Sequence, residues 1–397
     1  MDFTIGLFLK LVPGLAGSPD WVLTTLGAAV PAVLLVTFMA LGPIVYVYAE
    51  TKIAGFMQDR IGPKRVGPHG MLQTVADAVK LLFKEAIFPA GVDKVLFVLA
   101  PCIVNVGAFL PLVVIPFGHQ LQTVDLNIGV FYVTAVASLS TVGLIMAGWA
   151  SNNKYALFGG MRSAAQIVSY EIPAVMILLI PVMIVGSLSL QDIVAAQAGG
   201  LQNWLLFRYF PLMPIAFLIF FTAGMAECNR TPFDIPEAES ELVAGFHTEY
   251  SGFFFAMFFM AEYTEMLVIS IVSSVLFLGG FHAPHPAFQH LGALGLGPFW
   301  LIAKSWFLMF IMMWLRWTLP RLRVDQLMYV AWKVLLPMSL TLMVVVGGLV
   351  MWKPTASGFP TDKYVGWPLT VAFFLLLIMG IVRAVQWSRR RPQELAA

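Results

Sequence analysis

Charge is scarce in this 397-residue chain: Asp, Glu, Lys and Arg make up 11% of it, against 59% hydrophobic residues. A soluble domain carries about 25% charged residues. With a mean hydropathy of +0.85, the composition excludes an ordinary soluble protein and reads as an integral membrane chain. The net charge of +2 is too small to argue for a nucleic-acid partner. Cysteine is nearly absent as well. Cys102 and Cys228 cannot ligate an iron–sulfur cluster between them and show no zinc spacing. Of the six histidines, His282, His285 and His290 share one short polar loop instead of facing each other from two spans, which argues against bis-histidine haem. The residues therefore predict no metal and no redox cofactor bound by this chain itself. No charged n-region or small-residue cleavage site precedes Trp21, so no removable signal peptide is expected.

What the chain has in abundance is long apolar sequence. A spanning helix needs about 20 mainly apolar residues, and nine segments qualify: 21–48, 95–117, 130–150, 164–184, 210–226, 253–278, 299–315, 334–351 and 367–382. The expectation is an all-α integral membrane protein forming a single polytopic domain over 1–397. Its inner loops are a 49–94 loop with an amphipathic helix and an acidic loop at 227–252. The 367–397 segment supplies the last span and a basic tail. Lys and Arg concentrate on alternate loops: Lys52, Arg60, Lys64, Arg65, Lys80, Lys84 and Lys94, then Lys154 and Arg162, Arg230, and Arg316, Arg321, Arg323 and Lys333. The positive-inside rule puts those loops in the cytoplasm, the N-terminus outside and Arg389–Arg391 inside.

Three inner loops are chemically rich. From Gln58 to Pro68, two Gly-Pro pairs set turns. Beyond them Leu72, Val75, Val79, Leu82, Phe83 and Ile87 recur at helical spacing, with Asp77, Lys80 and Lys84 on the other face. This predicts a helix lying in the membrane surface, for which simple anchoring in headgroups is a sufficient reason. The second loop, Ser151 to Arg162, leads into Gln166 and Glu171, with Glu171 expected about two turns inside the fourth span. A carboxylate embedded there is a functional candidate, with a structural ion pair as the plain alternative.

The third loop is the acidic one. Glu227, Asp234, Glu237, Glu239 and Glu241 are five of the chain's 21 acidic residues, Glu249 adds a sixth, and Arg230 is the single base among them. Pro232 and Pro236 prevent one continuous helix. Glu262 and Glu265 continue the acids into the sixth span at an i,i+3 spacing that shares one face. Charge held against hydrocarbon is costly, and coupled carboxylates can share and pass protons. A carboxylate-ligated metal is the competing use, disfavoured by prolines and by the spread over two spans. After the seventh span, Arg316, Arg321 and Arg323 with Asp325 suggest a docking surface or an ordinary positive-inside flank.

The segments QDRIGPKRVGPHGMLQTVADAVKLLFKE, GWASNNKYALFGGMRSAAQIVSYEI, AECNRTPFDIPEAESELVAGFHTEYSG, FFMAEYTEM and RWTLPRLRVDQLM resemble, in order, the H subunit (subunit 1 in mitochondria) of proton-pumping NADH–quinone oxidoreductase. The resemblance implies a membrane subunit that closes the membrane end of a quinone chamber and starts a proton path. Quinone is then the substrate, with FMN and iron–sulfur clusters in partner subunits. The implied partners are the hydrophilic-arm quinone-site subunits, the cluster-bearing electron donor, and small membrane subunits linking to antiporter-like ones, in a prokaryotic inner membrane.

By resemblance, Glu50, Arg60, Asp77 and Lys80 fall at the mouth and wall of the quinone tunnel, and Arg316 near it. Arg230, Asp234, Glu237, Glu239 and Glu241 fall beneath the chamber, and Glu171, Glu227 and Glu262 on the path inward. Three features depart from the family pattern. Thr51 stands where Arg is usual, Glu265 stands where a neutral amide is common, and the ninth segment exceeds the common eight-span form. Glu227 and Glu262 are therefore expected to be needed for turnover, and Glu265 to matter less. The alternatives are the equivalent subunit of a membrane-bound hydrogenase-type complex, and a stand-alone secondary transporter, against which the lack of internal repeats argues.

Overall fold

Helices begin where side chains or backbone turns satisfy the first free N–H groups, as Asp93 does for Val95 and Leu96 and Asn153 does for Tyr155. In the computed structural model, which describes residues 20–351 apart from 120, 210, 237–238, 286–287 and 289–296, regular structure is entirely helical among the described residues. The main elements are α1 (Asp20–Met57), α2 (Gln73–Phe83), α3 (Lys94–Phe109), α4 (Gly129–Ala137) and α5 (Leu139–Ala150). Then follow α6 (Lys154–Val185), α7 (Leu190–Ala195), α8 (Leu212–Glu227), α9 (Glu239–Leu242), α10 (Gly252–Phe277) and α11 (Gly297–Thr318). The last are α12 (Val324–Tyr329) and α13 (Leu336–Met351), joined by a π-helical turn at Val330–Leu335.

Seven stretches are long and apolar enough to cross a bilayer: Ala32–Met57, Lys94–Val113, Gly129–Ala150, Lys154–Val185, Gly252–Phe277, Gly297–Thr318 and Val324–Met351. The 16-residue α8 is apolar but spans only about 24 Å. Eight of the nine expected segments thus coincide with helices, while segment 367–382 and its basic tail lie outside the described residues.

The boundaries move in informative ways. Helix α1 runs past Tyr48 to Met57, because its polar end is satisfied: Lys52 Nζ donates to the Pro63 carbonyl at 2.6 Å and Thr51 Oγ1 to the Tyr48 carbonyl. Glu50 is therefore a helical residue, not the start of a loop. Helix α6 begins at Lys154, where Asn153 accepts from the Tyr155 N–H as an N-cap. Its 32 residues reach about 48 Å, well beyond a 30 Å hydrocarbon core. Glu171 therefore lies about 25 Å along the helix and about two turns beyond Ala164, where its apolar run begins.

The hydrophobic core forms where α6, α8, α10 and α13 meet, with Tyr170, Ile177, Ile180, Ala216, Met266 and Ile271 buried. Small residues let the backbones close up: a Cβ on Gly148 would sit 2.7 Å from the Ala156 carbonyl oxygen, and one on Gly159 would sit 2.6 Å from the Phe246 nitrogen. Tyr170 donates to the Leu327 carbonyl and Trp332 to Ser169 Oγ, locking the last span onto α6. At the end away from the charged loops, Lys304 Nζ donates to the carbonyls of Leu278, Gly280 and His282 at 2.6–2.8 Å and closes the C-terminus of α10.

Candidate functional site

Four loops that are far apart in sequence converge at the basic end of the bundle. Ile87 N donates to Ser251 Oγ, Asn153 Nδ2 to Glu249 Oε1 at 2.6 Å, and Leu322 N to the Pro232 carbonyl. The acidic loop is held from behind by the buried Gln166, whose Nε2 lies 2.7 Å from the carbonyl oxygens of both Ala226 and Phe233. These bonds fix Cys228 to Ile235 beneath the ends of α1, α10 and α11.

At the centre sits Arg230, with 2% of its surface exposed. Its Nη1 lies 3.1 Å from both carboxylate oxygens of Glu50, itself only 4% exposed, and its Nε lies 2.9 Å from Glu262 Oε1. The second contact is an ion pair whose N–H points off the line of a hydrogen bond. Tyr263 donates to Glu50 Oε2 at 2.6 Å and lays its ring under the guanidinium at 4.4 Å. Arg316 reaches the same Glu50 carboxylate from α11. Burial opposes the charge on Arg230, but the Glu262 and Glu50 carboxylates outweigh it and hold the guanidinium firmly protonated. The result is a largely buried cluster of two bases, two acids and a phenol drawn from α1, the acidic loop, α10 and α11.

Two cavities lie inward of this cluster. The smaller, about 20 Å³, is lined by Glu262, Glu265, Asn229, His247 and apolar residues of α3, α5 and α10. Burial pushes the His247 imidazole down to about 4, so it faces that space neutral. The larger, about 80 Å³, lies between α3, α4, α5, α6, α8 and α10, and Glu171, Glu227 and Glu265 share its wall with Ser138, Ser140 and Thr134. Among the described residues, no Lys or Arg lines either cavity. A water molecule needs roughly 10–15 Å³ of such space, so the first has room for one and the second for several.

The structure brings together Glu50, Arg230, Glu262 and Arg316, and separately Glu171 and Glu227. Asp234 flanks the first group, accepting from Arg321 Nη2 at 2.8 Å. Two of the three arginines after the seventh span are thus turned inward to Glu50 and Asp234, which leaves less of that stretch for a docking surface. Glu241 sits outside the buried group, paired with Arg162 at 2.6 Å with over half its side chain exposed. Arg60 pairs with Gln58, and Lys80 with Asp77 at 3.3 Å on α2, all at the surface and apart from the Glu50 cluster. Glu237 and the side chain of Glu239 lie outside the described residues.

Tyr263 is the participant that sequence reading misses. It lies next to Glu262 in the motif FFMAEYTEM, and that adjacency was the available signal. Among the described residues, no group of three or more His, Cys, Asp or Glu side chains is placed to hold a metal ion.

A family model described as NADH dehydrogenase matches residues 30–347, most of the chain. The chain belongs to the NADH dehydrogenase family. It is 52% identical over 327 residues to the NADH-quinone oxidoreductase H subunit of Chlorobaculum tepidum, covering 79% of this chain and 90% of that one. The same-named protein of Geobacillus kaustophilus is 49% identical over 340 residues, covering 85% and 98%. That of Anaeromyxobacter dehalogenans is 43% identical over 401 residues, covering 97% of this chain and 95% of its own length. As a member of this family, the chain is an integral membrane subunit of an oxidoreductase complex.

Proposed function

We propose that this NADH dehydrogenase family subunit forms the membrane end of a quinone-binding chamber and couples quinone reduction to proton movement through its buried carboxylates. The observation that carries this reading is the Arg230 cluster. It ties Glu50, at the end of α1 near the charged loops, to Glu262 on a spanning helix through one guanidinium. A change of charge at the loop end is felt at Glu262 through that shared base, because Coulomb interactions at about 3 Å in a low-dielectric setting are strong. Glu262 then faces a cavity that it shares with a second acid, Glu265.

The chemistry assigned to the chain is proton handling and substrate positioning. Electrons would arrive from partner subunits of the hydrophilic arm carrying FMN and iron–sulfur clusters, and protons would leave toward antiporter-like subunits through small membrane-arm neighbours. Arg60, Asp77 and Lys80, exposed on the loop and on α2, are available to such partners or to the mouth of a chamber completed by them. The charged loops lie in the cytoplasm in this reading, with the N-terminus outside, and Arg389–Arg391 return to the cytoplasm if 367–382 crosses. The names of the relatives favour a quinone enzyme over a hydrogenase-type complex.

The test is quinone reduction with proton pumping in vesicles of assembled complex carrying Glu227→Gln or Glu262→Gln. Gln keeps size and hydrogen-bonding capacity but not the exchangeable proton, and loss of a proton relay costs on the order of 10²-fold in rate. Wild-type turnover and pumping in both assembled variants would remove these acids from the mechanism.

A further inference from the structure

Among the described residues, Glu265 is the one side chain that lines both inner cavities. On the first it stands beside Glu262, Asn229 and His247; on the second it stands beside Glu227 and Glu171. It is one helical turn from Glu262 on α10, so the two Cβ atoms are about 5–6 Å apart on one face. Ser140, on α5, lines the larger cavity together with Glu265, its hydroxyl donating to the Ala137 carbonyl at 2.9 Å. Without Glu265 the cavity below the Arg230 cluster and the cavity within the bilayer have no acid in common.

We infer that Glu265 is the bridging proton carrier of this chain: it takes a proton from Glu262 across the smaller cavity and passes it to Glu227 and Glu171 across the larger one. The inference rests on the proton-coupling reading above and reverses the sequence-based expectation that Glu265 matters less than its neighbours. The step is a proton transfer between carboxyl groups, directly or through a water held in either cavity, so no other reactant is consumed. Each transfer leaves the donor as a carboxylate and the acceptor as a carboxylic acid. A neutral amide at this position could donate and accept hydrogen bonds but could not relay a proton in this way.

The competing role for Glu265 is structural, as a polar side chain filling the wall between the two cavities. Glutamine preserves hydrogen-bonding capacity and the side-chain volume, whereas aspartate preserves the exchangeable proton and shortens the arm. The experiment is pumping and quinone reduction in vesicles of the assembled complex with Glu265→Gln and Glu265→Asp, alongside Glu227→Gln and Glu262→Gln. The relay predicts that E265Q loses pumping-coupled turnover on the order of 10²-fold and that E265D recovers a substantial part of it. Wild-type pumping in E265Q, or an E265D as slow as E265Q, would overturn the bridging role. If E265Q is wild type while E227Q and E262Q are slow, only the bridge falls. If all three Gln variants are wild type, the underlying proton-coupling reading falls with it.

Discussion

The two acid-bearing regions of this molecule handle charge in opposite ways. Around Arg230 every carboxylate meets a base: Glu50 has Arg230 and Arg316, Glu262 has Arg230, and Asp234 has Arg321. In the larger cavity Glu171, Glu227 and Glu265 share a wall of hydroxyl and aliphatic side chains into which no base among the described residues projects. A buried pair fixes its charges, because removing either partner strands the other in a low-dielectric site. Acids grouped without a base are suited to holding and exchanging protons, since they cannot all ionise at close range. The same residue type thus stands paired with bases at one end and grouped without them further in, and Glu265 on the wall of the larger cavity is one helical turn from the paired Glu262.

That contrast can be broken most severely at Arg230. Arg230→Ala leaves Glu50 and Glu262 buried without their shared base, and is expected to cost about 3–5 kcal/mol of stability. The readout is yield and thermal melting of the assembled complex, and near-normal melting would show that the cluster is not a tightly paired clamp. Next in size is the packing under the smaller cavity. Gly159→Ala forces a Cβ to within 2.6 Å of the Phe246 backbone nitrogen and 2.7 Å of Gly245 Cα. The overpacking should cost about 1–3 kcal/mol, again read by melting, and an unchanged transition would mean that the turn at Gly245–His247 yields freely.

A smaller effect concerns His247, which lines the smaller cavity with Glu262 and Glu265 and lies among the rings of Phe246, Phe255 and Phe259. Its folded value is about 4, below the ordinary value near 6.5. Between those values the unfolded chain binds a proton that the folded one does not, so this contribution to stability is complete above about pH 6.5 and is lost as pH falls toward 4. His247→Asn should flatten that part of the melting-temperature profile, and an unchanged slope would assign the acid lability elsewhere. The smallest effect is expected at Arg162 and Glu241, a pair with side chains 32% and 58% exposed. Such pairs contribute about 0–1 kcal/mol, so Arg162→Ala should leave the melting temperature almost unmoved. A large drop there would erase the distinction between surface and buried pairs.

Much of this architecture was legible in the chain. Apolar runs marked eight of the helices because hydrocarbon demands about 20 apolar residues per crossing, and the i,i+3 spacing of Glu262 and Glu265 correctly placed both on one cavity wall. Positions set by long-range partners were not legible. Helix α1 continues through Glu50 because Arg230, 180 residues away, neutralises it there. The start of α6 at the Asn153 cap, ten residues before its apolar run, depends on that cap and not on hydropathy. The π turn at Val330–Leu335 leaves only one local trace, Pro337, which has no N–H to continue the helical ladder. The meeting of Tyr263 with Glu50 and the double exposure of Glu265 to two cavities are products of packing, which no periodicity encodes.

The central claim is that protons on Glu262 and Glu227 move when quinone is reduced. Infrared difference spectroscopy of the assembled complex, triggered by quinone reduction, reads that directly through the carboxylic C=O stretch. The account predicts deuterium-sensitive carboxyl bands that appear on reduction in the wild-type complex, with distinct components missing from Glu262→Gln and from Glu227→Gln. A difference spectrum identical in wild type and both variants would contradict it, because these acids would then be spectators of the reaction.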